Sequence, residues 1–344
     1  LTDPVATSRR RWLGGALTAA LGLLVPACGG VPPAPPPRLA APPLPPLATA
    51  DLTRLLPSAG LRWLVLVKPR EIAAIPWLIP WLGLIAPEPN LDRFAASTGL
   101  DLRQVPDAAV ASYDDASLYL ARHTGDLRTV ERLFRERLTR DVRRTVERPD
   151  LIRLSGDLGT APRVLALLGR DVVAFQDGGS ATRGLARVAT LYALGKLRRS
   201  PTAFDQEPLH SLAARLGEAP LRAFARGPFD DALGRGARGL LAAATAVGAT
   251  ARPGDRETIL LDITLTGDFS ASTSDATDTL LAAWEELSRS SFGHLLGLDA
   301  GKAPASATPS AAGDALTLSV ALDPAPLARG LRALTSAEIE EIMR

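Results

Sequence analysis

Histidines, serines, one cysteine and paired carboxylates are the side chains through which this 344-residue chain could do chemistry. They are sparse and scattered. Only His123, His210 and His294 are present, none in an HExxH-like or Cys/His ligand spacing, so no metal site and no cofactor is expected. His123 stands between a strand-like run and the capping residue Asp126, which suits a general base or, equally, a surface residue at the end of an element. Gly178-Gly179-Ser180-Ala181-Thr182 follows a strand pattern and opens a helix pattern, the setting of a nucleophile elbow, but Thr182 stands where that motif wants glycine. Ser180 therefore reads as a helix cap or as the nucleophile of a hydrolase assembled with His123 from dispersed residues. The same turn with Arg183, and the segment Gly234-Arg235-Gly236-Ala237-Arg238-Gly239, could cradle an anion or be solvated loops. Neither matches a Walker loop or a dinucleotide fingerprint. Adjacent carboxylates at Asp114-Asp115, Asp230-Asp231, Glu285-Glu286 and Glu340-Glu341 point different ways on a strand or helix, so none alone makes an acid/base couple.

A stretch of another kind is Ile75 to Pro87, IPWLIPWLGLIAP. It holds two tryptophans, six leucines and isoleucines and no charge in thirteen residues, interrupted by Pro76 and Pro80. Such a segment is either a short buried helix closing the core or an interaction surface. In the second case Trp77 and Trp81 line a pocket for an acyl chain, or dock on a lipid or an envelope protein.

Cys28 is the sole cysteine, so the fold has no disulfide and must be held by its core. Its surroundings are SRRRWLGGALTAALGLLVPACGG, Ser8 to Gly30. Three arginines precede fifteen uncharged residues, Leu13 to Ala27, which as a helix would span ~22 Å against the ~30 Å of a hydrocarbon core. A basic start, a short apolar middle and small residues at its end make a removable export signal, residues 1–27. Val25-Pro26-Ala27-Cys28 resembles the lipobox of bacterial lipoproteins, with proline at a position where that family more commonly has another residue. The resemblance implies cleavage before Cys28 after its thiol has received a diacylglyceryl group, and hence a membrane partner through that lipid. Ser8 to Leu13 resembles a twin-arginine export signal, with Arg9 and Arg10 as the arginine pair and Trp12 where phenylalanine is usual. That route carries folded proteins; the general secretory route is the alternative. The implied location is the bacterial cell envelope, lipid-anchored and facing the periplasm, with Gly29 after the cysteine compatible with sorting to an outer membrane. Cys28 as a buried residue of an ordinary N-terminal helix is the competing reading, but Gly29, Gly30 and the prolines beyond would stop such a helix.

Removal of residues 1–27 takes away Arg9, Arg10, Arg11 and Asp3, leaving 36 basic and 36 acidic residues. The remainder is formally neutral, and no nucleic-acid partner is expected. From Val31 to Pro46 nine of sixteen residues are proline, so residues 28–49 read as a lipidated cysteine and an extended spacer of ~50 Å.

The globular region, residues 50–344, is expected to be α+β, an antiparallel sheet with amphipathic helices packed on one face, with 50–200 and 201–344 as candidate lobes. Leu61–Val67 reads as a strand and 109–113 with 117–122 as a hairpin turned by Asp114-Asp115. Asp126 caps a helix expected to run to about Asp141. Short strands follow at 145–146, 151–154, 163–168 and 171–175, then helices at 180–197 and 209–216 and extended segments at 221–225 and within 240–251. Ile259 to Leu265 and Leu316 to Leu322 alternate with period two, each with an apolar and a more polar face. Leu280, Trp284 and Leu287, and Leu327, Leu331 and Leu334 behind Asp323-Pro324, supply helices for the apolar side. Residues 301–313 read as a flexible loop. The function expected first is a membrane-anchored, non-catalytic binding or interaction module for an apolar ligand. An envelope hydrolase and a structural envelope protein are the alternatives.

Overall fold

The computed structural model describes residues 44–180, 184–229, 236–269, 273–300 and 304–343. Arg9, Arg10, Cys28, most of the proline spacer, Thr182, Arg183, Asp230, Asp231, Gly234 and Arg235 lie outside the described residues. Residues 45–344 form one compact unit.

Its frame is one twelve-stranded sheet, antiparallel throughout. The strands are β1 Trp63–Val67, β2 Ala108–Ser112, β3 Ala116–Arg122, β4 Arg140–Arg148, β5 Leu151–Leu158, β6 Ala161–Leu168, β7 Val172–Gly178, β8 Leu221–Arg226, β9 Ala244–Pro253, β10 Ile259–Gly267, β11 Ser306–Pro309 and β12 Ala315–Leu322. Their spatial order is β11-β12-β10-β9-β8-β1-β2-β3-β7-β6-β5-β4. Among the described residues ten α-helices surround them: α1 Pro69–Ala73, α2 Ile79–Ile85, α3 Glu88–Thr98, α4 Leu127–Arg137, α5 Leu185–Ala193, α6 Leu209–Leu216, α7 Leu240–Ala243, α8 Thr273–Arg289, α9 Ser291–Leu296 and α10 Pro324–Met343. The fold is α+β.

The two halves of the chain meet in the pairing of β1 with β8, where Leu64 lies opposite Phe224. Both side chains are buried, and Phe224 meets Phe204 edge-on at 4.8 Å. The sheet therefore runs without a break across residues 200 and 201. On one face Leu64, Leu118, Leu120 and the small Ala109, Ala111, Ala166 and Ala174 pack beneath α5 and α6. Small strand residues let a helix approach closely. Gly248 carries this furthest: a Cβ there would stand 2.5 Å from Leu216 Cδ1 of α6.

Helices cover the opposite face as well, which the expected one-sided packing does not include. Val130 of α4 packs with Leu154, Leu165, Leu167 and Val173, while Leu280 and Trp284 of α8 pack with Leu265, Leu316, Leu318 and Val320. The reason is visible in β6, whose last five residues, VLALL, are all buried; a strand covered on both sides loses its alternation. The β10–β12 end keeps a polar face, where Thr264 and Thr317 hydroxyls meet at 3.1 Å and Asp262 accepts from Ser319 at 2.6 Å.

Local signals explain the element ends. Asp126 Oδ1 accepts from Arg128 N–H, and Asp323 Oδ1 from Ala325 N–H, each at 3.0 Å, so both aspartates cap as their positions suggest. The α4 helix stops at Arg137, short of Asp141, because the next residues pair with β5 as the edge strand β4. A register shift between Arg140 and Arg143, with Asp141 at φ 52°, makes that turn. Within the expected helix 180–197 the described α5 spans only Leu185–Ala193, and Gly195 at φ 67° follows its end. The expected loop 301–313 contains β11, paired to β12. The compact unit includes residues before 50: Leu47 packs on the core, and Ala48 N–H donates to Ala193 C=O at 2.8 Å.

Candidate functional site

Between β1 and β2, which are hydrogen-bonded neighbours, the chain makes an excursion of some forty residues that carries the uncharged Ile75–Pro87 stretch. Proline sets its architecture. Pro69, Pro76, Pro80 and Pro89 each stand in the first turn of a helix or 3₁₀ turn, where a missing N–H costs nothing, and the last three each prevent the preceding helical turn from continuing. The run is thereby cut into α1, a 3₁₀ turn Pro76–Leu78, α2 and α3 instead of one amphipathic helix.

The excursion is pinned at both feet. Lys68 N–H donates to Pro220 C=O at 2.8 Å and Arg70 N–H to Val105 C=O at 3.0 Å. Arg103 pairs with Asp92 of α3 and with Asp101, each at 2.8 Å, and its hydrogen bonds hold the Asp101 carboxyl below the usual carboxylate range. Gly99, at φ 78°, ends α3 against α4, where a Cβ would stand 3.2 Å from Val130. Along its length α2 runs beside α10.

None of the thirteen residues Ile75–Pro87 is buried: Trp77 and Trp81 are half-buried, and Ile79 is 55% exposed. The stretch is not a helix closing the core. A single exposed apolar side chain is ordinary, whereas here a contiguous uncharged segment has no fully buried member. A second apolar area is one that sequence reasoning missed. On the sheet face that carries α4, Val65, Val110, Tyr119 and Phe175 lie in one row across β1, β2, β3 and β7. Tyr119 is 39% exposed and Trp63, two residues along β1, 42%. Tyr119 stacks at a tilt on Phe175 at 5.7 Å, which meets Phe134 edge-on at 5.9 Å. The alternation in WLVLV held the signal, since it puts Trp63, Val65 and Val67 on one face and Leu64 and Leu66 on the other.

The residues suited to catalysis are not brought together. His123 follows β3 and Ser180 follows β7; these strands are antiparallel, with Arg122 opposite Val172 at one end and Ala116 opposite Gly178 at the other. The two residues thus sit at opposite ends of the strand pair, roughly 20 Å apart at ~3.3 Å per residue, far beyond hydrogen-bond reach. His210 Nδ1 lies 2.9 Å from Phe204 C=O, and His294 Nδ1 lies 2.9 Å from Asp299 Oδ2 on the surface. Among the described residues no group of three or more His, Cys, Asp or Glu side chains is placed to hold a metal ion.

The turn ahead of α5 is filled by protein. Buried Gln176 donates from Nε2 to Gly178 C=O at 2.7 Å and accepts Ala186 N–H on Oε1 at 2.9 Å, so a side-chain amide takes the place an anion would need. Arg238 of the second glycine-arginine segment pairs with Glu286 at 3.2 Å. A cavity of ≈180 Å³ is lined by Asp51, Lys68, Asp107, Arg122 and Arg222, and one of ≈350 Å³ by Glu207, Ser211, Arg215 and Asp314. Their charges are knitted to one another or to close neighbours: Lys68 and Arg222 to Glu218, Arg122 to Asp171, Arg215 to Asp314. Neither cavity is lined by Trp77 or Trp81.

No family model matches this chain, and no curated protein matches it. Among solved structures, crystal form IV of TP0453 matches with a TM-score of 0.47 and 10% identity, over 81% of this chain and 96% of that one. Among the described residues no helix is long and apolar enough to cross a membrane.

His123 gives a testable consequence of burial. Burial pushes its imidazole below the ordinary 6.5, against an opposing pull from Asp126. The fold favours neutral His123, whereas the unfolded chain takes up a proton as pH falls through 6.5, so stability drops below that pH and levels off under the folded value. Asp205 and Glu207, held low by hydrogen bonds from Thr202 and Ser211, lose their contribution only at pH below ~4.5. In urea denaturation, His123→Gln is expected to flatten the loss of stability between pH 7 and 5. An unchanged slope contradicts this assignment.

Proposed function

We propose that this protein is a non-catalytic interaction module held at the bacterial cell envelope by acyl chains on Cys28, and that its Ile75–Pro87 arm rests in the interfacial layer of a lipid bilayer. The observation that carries the reading is the arm itself, thirteen uncharged residues without one buried side chain. Tryptophan favours such a layer because its ring is apolar while its N–H can still reach a polar partner. A surface contact also accounts for two half-buried tryptophans better than an enclosed acyl-chain pocket, since neither cavity reaches them. The lipobox-like Val25-Pro26-Ala27-Cys28 and the proline spacer support the tether, with the periplasmic face of the outer membrane as its location.

The two elements of the proposal are separable. Intact mass of the native protein is expected to show a chain beginning at Cys28 with diacylglyceryl added, and Cys28→Ser is expected to keep its leader and leave the membrane fraction. A Cys28→Ser product that stays membrane-bound, with no mass gain in the native form, refutes the tether. For the arm, removing about 100 Å² of apolar surface from water is worth ~2.5 kcal/mol. Trp77→Ala with Trp81→Ala should therefore weaken binding of residues 45–344 to phosphatidylcholine vesicles at least tenfold, with the urea midpoint unchanged because neither side chain belongs to a core. Equal binding by the double variant, or none by the parent, refutes the arm.

A further inference from the structure

Charge in this molecule is arranged along the sheet. Residues 127–148, which form α4 and β4, hold eight arginines against four carboxylates, whereas residues 271–344, which supply α8 to α10, β11 and β12, hold ten carboxylates against five basic residues. The strands β4 and β11 are the two edges of the sheet, eleven strand steps or about 50 Å apart at ~4.8 Å per step. The α4–β4 edge is therefore a basic end of the sheet.

The basic end has cations to spare. Glu131, Glu136 and Glu147 are already matched with Arg144, Arg132 and Arg153, and Arg148 is matched with Asp150. Arg135 and Arg137 in the last turn of α4 and Arg143 on β4 are exposed and have no carboxylate partner among the described residues. Arg140 donates to Gly159 C=O at 2.7 Å. Asp141 and Asp157 are the remaining carboxylates there, too few to neutralise four guanidinium groups. The edge also exposes Val142 (45%) and Val146 (53%). Guanidinium groups match phosphate oxygens in pairs, and each adds to attraction at an anionic bilayer surface.

We infer that the α4–β4 edge is a docking site for the phosphate headgroups of anionic lipids. This rests on the bilayer contact proposed above and adds the charge of that bilayer. The chain enters the domain on the same side: Leu47 packs beside α5, and Arg122 at the end of β3 donates to Thr49 and Ala50 C=O, four strand steps from β4. A chain entering there leaves the basic edge free to turn toward the membrane. A second copy of the chain is a poorer occupant. The opposite edge strand β11 has four uncharged residues and ends at Pro309, which lacks an N–H, so it cannot continue the ladder of a nine-residue β4.

Residues 45–344, one compact unit with the whole sheet and its cores, are the form to test. Binding is measured to phosphatidylcholine vesicles and to the same vesicles mixed with phosphatidylglycerol. The parent is expected to prefer the anionic vesicles at least tenfold, and the preference to collapse in about 0.5 M salt. The triple variant Arg135→Gln, Arg137→Gln, Arg143→Gln should lose most of that preference while keeping the parent's affinity for neutral vesicles. Arg238→Gln with Arg289→Gln, at the other end, should keep it. No preference in the parent with neutral binding intact, or a preference the triple variant retains, overturns this inference alone. Binding to neither vesicle overturns the arm as well. A salt-sensitive dimer in sedimentation without vesicles, abolished by the triple variant, would put a second copy on the edge and overturn it too.

Discussion

Everything in this fold hangs on β1, a strand of five residues that is hydrogen-bonded to β2 on one side and β8 on the other. Without that ladder the chain would be two sheets with two incomplete cores. With it, Leu64 and Phe224 seal one face across the junction, and strands from both halves of the chain share a single frame. Length follows from the same constraint. Twelve strands in one open sheet put its edges about 50 Å apart and leave room for helices on both faces, so the interior is three separate apolar clusters and not one.

Among the described residues the histidines and the serine suited to catalysis are kept apart by the sheet. The two cavities described above are lined by charges paired with one another or with close neighbours. What the sheet does offer is surface. The β1–β2 connection is an excursion that leaves and returns at one sheet end, and its prolines prevent it from folding its apolar residues inward as one long helix. The basic β4 edge is chemically different: its arginines defend an open strand against pairing with other strands and also present positive charge to whatever carries phosphate. Apolar arm and charged edge both lie on the surface of the sheet, and they are the features on which the proposed membrane contact rests.

Much of this was legible in the residues. Asp126 and Asp323 announce their helices, and β10 and β12 announce themselves by strict alternation, because capping and one-sided burial are local effects. The strand β4 is hidden: RDVRRTVER continues the arginine-rich pattern of α4, and only pairing with β5 makes it extended. Cover on both faces is hidden as well, because VLALL in β6 has lost the period that would reveal a side. At the candidate site, Trp77 and Trp81 stood out by composition, but whether they were buried or half-exposed depended on what packs over them. Trp63 and Tyr119 drew no attention for the same reason. The separation of His123 from Ser180 needed the register of β3 on β7, which no spacing in the sequence encodes.

Contact between the arm and lipid is the central claim, and its depth in the bilayer can be measured directly. Residues 45–344 contain no cysteine, so a nitroxide placed by Ile79→Cys reports one position on α2. Power-saturation electron paramagnetic resonance with oxygen and a water-soluble nickel complex measures its depth. On addition of vesicles the label is expected to gain contact with oxygen and lose contact with nickel. A label equally open to nickel with and without vesicles, under conditions where the protein is bound, would contradict the claim.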